Sequence, residues 1–340
     1  METVVVVRGG LTETLQAGAL VRTLGDGSSG MRVTLACPGG NAAELARGLS
    51  GVDEVLALDA LYADAPDLAA VWPALAALRG RPLRCAMVCS PSSADILLVY
   101  AAGIARRVGL AIGPAAPLLT DRVPPAGGEN RAQAWLRLAT ALGVDRIQFT
   151  AALEPGPVAH ARAEERLVGS GMEDGRLLVA IAPGAAWAEP PSSPQLRWDS
   201  ERYAHLANLL ARRHGAGTVL VGPAADRAAA DAVRLDLDAP VLDLCGELSL
   251  SETAAVIARC DLVVAGDSPV LHIAAAVGSA AIGLFGPTDG RVRGPYGRAH
   301  RVIQGVTPDR TRRVGTWTAM RQIRVEDVLA GIEGPMTAAM

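Results

Sequence analysis

No lysine occurs among the 340 residues, so all 32 basic side chains are arginine. That absence excludes Schiff-base chemistry, an amine general base and the compact ammonium that often anchors a phosphate. A surplus of one charge is missing too: 32 basic residues stand against 35 acidic ones, a net −3 that offers no electrostatic footprint for nucleic acid. Half of the residues are apolar, yet the apolar stretches are short and interrupted by Arg, Asp, Gly or Pro, so none reaches the length of a membrane span. Met1-Glu2-Thr3 runs straight into Val4–Val7 with no basic segment, long apolar stretch or cleavage site. The chain is therefore expected to work in the cytosol. Cys37, Cys85, Cys89, Cys245 and Cys260 are odd in number, lie in apolar runs and show no C-x-x-C pair or metal-ligand spacing, which marks them as buried thiols.

What is present is alternation. The length suits two domains of roughly 150 residues. In the first half, strand-like Thr3–Val7, Arg32–Ala36, Glu54–Leu58 and Cys85–Cys89 alternate with helical patterns at about Glu13–Leu24, Asn41–Leu49, Asp67–Leu78, Ala94–Val108 and Asn130–Leu142. In the second half, Leu177–Ile181, Thr218–Val221, Val241–Leu244, Leu262–Ala265 and Ala281–Phe285 alternate with Ser200–Arg213, Ala225–Leu235, Ser251–Ala258 and Pro269–Val277. Short apolar runs between amphipathic helices imply parallel sheets covered on both faces. The expected fold class is α/β, two Rossmann-like doubly wound domains facing each other across a cleft. Their expected limits are 1–165 and 176–322, with a last helix at 323–336 packing back on the first domain. Residues 151–175 read as the connection, Glu189–Pro194 as a surface loop and the tail after Pro335 as frayed.

The most specific local signal is Asp267-Ser268-Pro269-Val270-Leu271-His272. Ser268 is a good N-cap, Pro269 suits the first helical position and Gly278 suits the C-cap, which bounds a helix at Pro269–Val277. Alone, this is a capped helix. Its free N–H groups and dipole also suit a diphosphate, with donors at Ser268, Val270 and Leu271 because Pro269 has none. His272, one turn on, is either a core residue or a second ligand contact. The Gly- and Pro-dense turns Phe285-Gly286-Pro287-Thr288-Asp289 and Gly294-Pro295-Tyr296-Gly297 then follow a buried strand, and their ordering entropy calls for a purpose.

Taken with Pro183-Gly184-Ala185 and Trp187, Arg197-Trp198, Val221-Gly222 and Asp226, and Gly246 with Leu250 and Glu252, these segments resemble glycosyltransferase family 9, the bacterial ADP-heptose transferases and their relatives. Val5-Val6-Val7-Arg8, Ala19-Leu20-Val21-Arg22 and Gly51-Val52-Asp53-Glu54-Val55 extend the resemblance more weakly into the first half. The resemblance implies a GT-B fold with the nucleotide sugar in the C-terminal domain, the acceptor in the N-terminal domain, inversion at the anomeric carbon, and neither metal nor cofactor. It implies donor contacts at Gly184, Arg197, Gly222, Ser268, Val270, Leu271, His272, Gly286, Thr288 and Asp289. Acceptor contacts follow at Gly9, Gly10 and Ser92, and Asp267 would hold sugar hydroxyls or the loop.

The chain departs from the family pattern in four places. Where the family has a Gly-Asp pair whose acid is the general base, Arg8-Gly9-Gly10-Leu11-Thr12-Glu13 carries Glu13 after a loop one residue shorter, and the longer side chain can restore the contact of roughly 3 Å that a base needs. Glu13 is equally an acid at a helix start. Leu196 takes the column of a phosphate-binding lysine, leaving Arg197 beside it as the cation for the leaving group. Glu247 replaces another common lysine, and Pro269 a glycine. Asp236-Leu237-Asp238 only mimics a metal motif, since it ends a predicted helix without further ligands. The loop after the first strand lacks a dinucleotide fingerprint. Residues 1–170 carry 15 Arg against 16 acidic residues, a balance that favours a small soluble acceptor over a lipid-linked one. The alternatives are a lipopolysaccharide core heptosyltransferase using ADP-heptose and a non-catalytic sugar-nucleotide-binding homologue.

Overall fold

A computed structural model of the chain describes residues 1–26, 31–61, 68–170, 172, 176–187, 194–305 and 317–336. The expected loop at Glu189–Pro194 and the tail after Pro335 lie largely outside them. The chain divides into two compact units, Met1–Glu154 and Pro155–Met340.

The first unit runs β1 (Glu2–Val6), α1 (Leu11–Gln16), α2 (Gly18–Gly25), β2 (Arg32–Cys37), α3 (Asn41–Ala46), β3 (Glu54–Ala57), α4 (Leu68–Arg79), β4 (Cys85–Val88), α5 (Ser93–Ala101), β5 (Arg106–Leu110), β6 (Asp121–Val123) and α6 (Arg131–Thr140). Its strands form one parallel sheet in the order β3-β2-β1-β4-β5-β6. The β-branched run Val4–Val7 is fully buried, as a central strand covered on both faces requires. The helical pattern at 13–24 is two helices that meet at Ala17. The pattern at 94–108 also divides: α5 stops at Ala101, Gly103 takes φ +77°, and the chain re-enters the sheet as β5 beside β4. Glycine reaches that left-handed conformation without a Cβ clash, which is what lets a helix end and reverse.

The second unit runs α7 (Pro157–Val168), β7 (Leu178–Ala182), α8 (Ser200–His214), β8 (Gly217–Leu220), α9 (Arg227–Leu235), β9 (Val241–Asp243), α10 (Leu250–Ala258), β10 (Leu262–Gly266), α11 (Pro269–Val277), β11 (Ala280–Phe285), α12 (Gly290–Arg293), β12 (His300–Gln304), α13 (Trp317–Arg321) and α14 (Val325–Met336). Its parallel sheet has the order β12-β11-β10-β7-β8-β9. Local chemistry sets several starts. Ser249 and Glu252 form a reciprocal capping box on α10, with bonds of 3.2 and 2.8 Å. On α11, Pro269 occupies the first turn and Gly278, at φ +90°, ends it, so this helix has the bounds the sequence indicates.

The limits of the second unit differ from the expected ones. The connection expected at 151–175 contains α7, which packs against α10, so the second unit begins at Pro155 rather than 176. In the last helix, Val325, Val328, Leu329 and Ile332 join the core of the second unit, against α8, β11 and β12. No helix among the described residues is long and apolar enough to cross a membrane.

Both sheets have the doubly wound order in which the direction of strand addition reverses once. The reversal lies between β1 and β4 in the first unit and between β7 and β10 in the second. Ligands bind open α/β sheets outside the carboxyl ends of the two strands at that point.

Candidate functional site

At the switch point of the second unit, the loops after β7 and β10 carry Gly184 and Asp267-Ser268. Ser268 adopts the extended N-cap conformation but its hydroxyl makes no cap bond. That Oγ is buried and has no hydrogen-bond partner among the described residues. A capping serine normally uses its oxygen on an N–H two or three positions on, so this N-cap hydroxyl is not engaged by its own helix. Val270, Leu271 and His272 are all buried in the first turns of α11. The Leu271 N–H, expected to face a phosphate, instead reaches back to the Ser268 carbonyl at 3.3 Å, a tightened first turn that engages this donor locally.

Asp267 is 3% exposed, and its Oδ2 accepts from Arg293 Nε at 2.8 Å. Arg293, the last residue of α12, was not singled out from sequence. Gly184 owes its identity to contact: a Cβ there would lie 1.9 Å from Asp226 Cγ. The Asp226 carboxylate accepts the N–H groups of Ala185 and Ala186 at 3.1 Å each and so shapes the Pro183–Ala186 turn. Burial pushes the Asp226 carboxyl up from its ordinary value, while those two N–H groups and Arg197 pull the other way. Gly222 packs against the same residue, with a hypothetical Cβ at 3.4 Å from Asp226 Cβ, and its carbonyl accepts from Gly246 N at 2.8 Å.

Arg197 is brought to this edge by its neighbours. Leu196 and Trp198 are both buried; the Trp198 indole donates to the Ile323 carbonyl at 2.9 Å and meets Tyr203 edge-on at 5.0 Å between centroids. The Leu196 carbonyl crosses the end of β10 so closely that a Cβ on Gly266 would sit 2.4 Å from it. Leu196 is thus an apolar plug, and Arg197 beside it is a cation at this edge. Its Nη2 lies 3.9 Å from Asp226 Oδ1, while its buried Nε has no hydrogen-bond partner among the described residues. A cavity of about 350 Å³ lies beside it, lined also by Pro183, Gln195, Trp198, Ser200 and Met320.

The turn after β11 is held by one side chain. Gln304 Nε2 donates to the carbonyls of Phe285, Gly286 and Thr288 at 3.0, 3.0 and 3.1 Å, and its Oε1 accepts from Gly290 N at 2.9 Å. Gly286 is pressed against Met320, 2.6 Å from where a Cβ would meet Cγ, and the Thr288 hydroxyl is buried with no partner among the described residues. Asp289, expected to contact the donor, caps α12 by accepting from Arg291 N at 3.0 Å and pairs with the Arg291 side chain. Asp236 and Asp238 are fixed through their backbone by Asn208, at 2.9 Å in each case.

At the switch point of the first unit, Gly9 takes φ +118° and a Cβ there would lie 2.8 Å from Glu13 Cδ, so glycine is what lets the Glu13 side chain fold over the loop. Glu13 Oε2 accepts from Gly10 N at 3.2 Å, and Oε1 pairs with Arg131 of α6. The structure therefore joins Glu13, Gly9 and Gly10, and adds Arg131, which sequence reasoning missed. Ser92 stands at the N-cap of α5 with no side-chain cap bond. Between them lies a second missed pair. Arg8, 6% exposed, bonds Asp95, fully buried, through Nε at 3.0 and 3.1 Å, donates to the Ala60 carbonyl at 3.0 Å, and Ser90 donates to the same carboxylate. Asp95 in sequence looks like any acid in the first turn of a helix, which conceals its partner.

Comparison with known proteins gives consistent results. The description glycosyltransferase family 9 (heptosyltransferase) matches residues 91–317. Lipooligosaccharide heptosyltransferase 2 of Haemophilus influenzae is 32% identical over 133 residues, 38% of this chain and 37% of that protein. Lipopolysaccharide heptosyltransferase 2 of Escherichia coli is 32% identical over 136 residues, 39% of this chain and 37% of its own length. These sequence matches thus span little more than a third of each relative. Among solved structures, a glycosyl transferase family 9 protein of Veillonella parvula superposes with a TM-score of 0.84 at 19% identity, covering 98% of this chain and 96% of the other. The E. coli ADP-heptose lps heptosyltransferase II gives 0.75 at 21%, covering 98% of each. At such identities the likeness establishes the shared fold.

Proposed function

The chain belongs to glycosyltransferase family 9, and from that premise we propose that it moves a sugar from a nucleoside-diphosphate sugar to the hydroxyl of a small soluble acceptor in the cytosol, with inversion and without a metal ion. The observation that carries this reading is the Ser268 hydroxyl, buried and unpartnered at the start of α11 and beside the carboxyl edge of β10. A helix start at a switch point is suited to phosphate oxygens, and a hydroxyl withheld from capping supplies the donor that Pro269 lacks.

In the proposed reaction, Glu13 accepts the proton of the acceptor hydroxyl while that oxygen forms a bond to the anomeric carbon. The bond from that carbon to the diphosphate oxygen breaks on the opposite face, and the nucleoside diphosphate leaves with the electron pair. The charge gathering on it is met by the Ser268 hydroxyl, the Val270 N–H, the α11 dipole and Arg197, which is electrostatic stabilisation by preorganised donors. The Glu13 carboxylate is held over the acceptor loop by Gly10 and Arg131. Asp267 accepts from a hydroxyl of the donor sugar.

The relatives named as heptosyltransferases favour a second reading, in which the donor is ADP-heptose and the acceptor a lipopolysaccharide core. The even balance of 15 Arg and 16 acidic residues over positions 1–170 supports the soluble acceptor instead. A thermal-shift screen with ADP, GDP, UDP and TDP and their sugars tests the donor site: one nucleotide should raise the melting temperature and its sugar should raise it further. No shift with any of them refutes the donor site. Tight binding to vesicles rich in anionic lipid favours the lipid-linked acceptor.

A further inference from the structure

Asp267 presents an electrostatic problem. Its carboxylate is buried at the helix start assigned to a diphosphate, so two anionic groups would share one desolvated corner, where like charges raise each other's cost steeply. The fold supplies one answer. Arg293 donates to Oδ2 at 2.8 Å, with the Asp267 side chain 2% and the Arg293 side chain 23% exposed. Oδ1 has no hydrogen bond among the described residues, and the neighbouring Ser268 Oγ has none either.

Arg293 is delivered by a rigid arm. It ends α12, whose start is capped by Asp289. Gln304 grips the preceding turn with three donated bonds and one accepted from Gly290. Gly290 and Gly294 lie flush on β12, where a Cβ on either would meet Val302 at 2.3 and 2.7 Å. A four-residue helix with such anchoring costs ordering entropy, and a surface turn has no need of it. The arm ends at a buried carboxylate.

We propose that Arg293 is a positioning residue of the donor site: it cancels the charge of Asp267, so that a diphosphate can bind beside it, and turns Oδ1 toward a hydroxyl of the donor sugar. This rests on the reading of the α11 start as the site of a nucleoside-diphosphate sugar and extends it to what selects the sugar. Asp267 then discriminates by accepting a hydroxyl bond, and Arg293 sets whether it can do so without repelling the phosphates.

The test is a double-mutant cycle on the full chain with calorimetric titration of two probes, the nucleoside diphosphate that binds best among ADP, GDP, UDP and TDP, and its sugar. Arg293→Met exposes the diphosphate to an uncancelled carboxylate and should weaken the plain diphosphate by ~10- to 100-fold, the range expected of a like charge several ångströms away at an effective dielectric near 20. Adding Asp267→Asn should restore diphosphate affinity to within a few-fold of wild type while the extra affinity contributed by the sugar stays lost. Asp267→Asn alone should bind the diphosphate at least as well as wild type and lose only the sugar increment. A merely structural ion pair predicts that Asp267→Asn, alone or in the double variant, leaves the sugar increment intact, and if Arg293→Met does not fold, Arg293→Gln and the double variant, which buries no lone charge, provide the same comparison. Equal weakening in Arg293→Met and in the double variant overturns the proposal, as does wild-type affinity in Arg293→Met. Wild-type protein that binds no diphosphate overturns the donor-site reading itself and this inference with it.

Discussion

Ser268→Ala should make the protein more stable and a worse binder at once. At an ordinary N-cap this substitution costs ~1 kcal/mol because an N–H loses its acceptor. Ser268 caps nothing, and its Oγ is buried without a partner among the described residues. A hydroxyl desolvated in that way costs ~1–3 kcal/mol in the folded state, and alanine removes the group that pays it. The net change in the ligand-free protein should be a gain of ~1 kcal/mol, seen as a melting temperature higher by ~2–4 °C for a unit of this size. Ligand binding moves the other way. A hydroxyl bonded to a charged phosphate oxygen contributes ~1.5–3 kcal/mol, so its loss should weaken a nucleoside diphosphate by ~10- to 150-fold at ~1.4 kcal/mol per decade. Differential scanning calorimetry without ligand and titration calorimetry with ADP, GDP and UDP read the two effects separately. A lower melting temperature with unchanged affinity would refute the reasoning, because the hydroxyl would then be a cap after all.

Glu13→Gln removes the base, so sugar transfer should fall by ~10²- to 10⁴-fold with nucleotide affinity unchanged; turnover equal to wild type would remove Glu13 from the mechanism. Gly184→Ala places a Cβ 1.9 Å from Asp226 Cγ, which forces the carboxylate off Ala185 and Ala186 and should cost ~3 kcal/mol or more in urea unfolding, along with donor binding; a loss below ~1 kcal/mol would mean the turn adapts freely. Burial holds the His300 imidazole below its usual value of 6.5, so the unfolded chain takes up the proton first. Stability is then complete above that pH and declines as pH falls toward the lower folded value. His300→Gln should flatten that acid limb in urea midpoints measured from about pH 7 to 5, and an unchanged slope would assign the decline to other groups.

How much of this was legible in the sequence varies with the range of the interaction. The bounds of α11 were readable because Ser268, Pro269 and Gly278 are each local signals with a single structural meaning. The strands β7, β10 and β11 were readable as apolar runs. The strand β5 was not, since Arg106 and Arg107 continue the helical pattern of α5 and only Gly103 marks the break. Edge strands escaped for a related reason: β6 has three residues, and β12 begins His300-Arg301 and ends in Gln304, a polar composition that no strand pattern requires. α7 read as a connection because its buried face is mainly Ala159, Ala163 and Leu167, a small stripe beside a charged one. The candidate site divides in the same way. Ser268, Gly184 and the loop at Gly9 are backbone positions with local signatures. The partners that charge-balance them lie far along the chain, Arg131 at 118 residues from Glu13, Asp95 at 87 from Arg8 and Arg293 at 26 from Asp267. A single sequence holds no record of such pairings.

The missing lysines acquire a structural meaning at this edge. A lysine at the position of Leu196 would bring a flexible, uncompensated charge. The two arginines at the edge instead stand beside buried carboxylates, Arg197 3.9 Å from Asp226 and Arg293 2.8 Å from Asp267. Each pair is close to neutral, so on the proposed reading most of the attraction for a diphosphate comes from the α11 start, worth about half a charge, and from donors aimed at fixed points. Such a site depends on placement more than on net charge. The fold is consistent with that demand: Trp198 and Leu196 pin the segment of Arg197, Gln304 clamps the turn that delivers Arg293, and Asp226 fills the space that Gly184 leaves open. On the proposed reading, arginine forks on pinned segments take over the task that a mobile ammonium performs by charge alone.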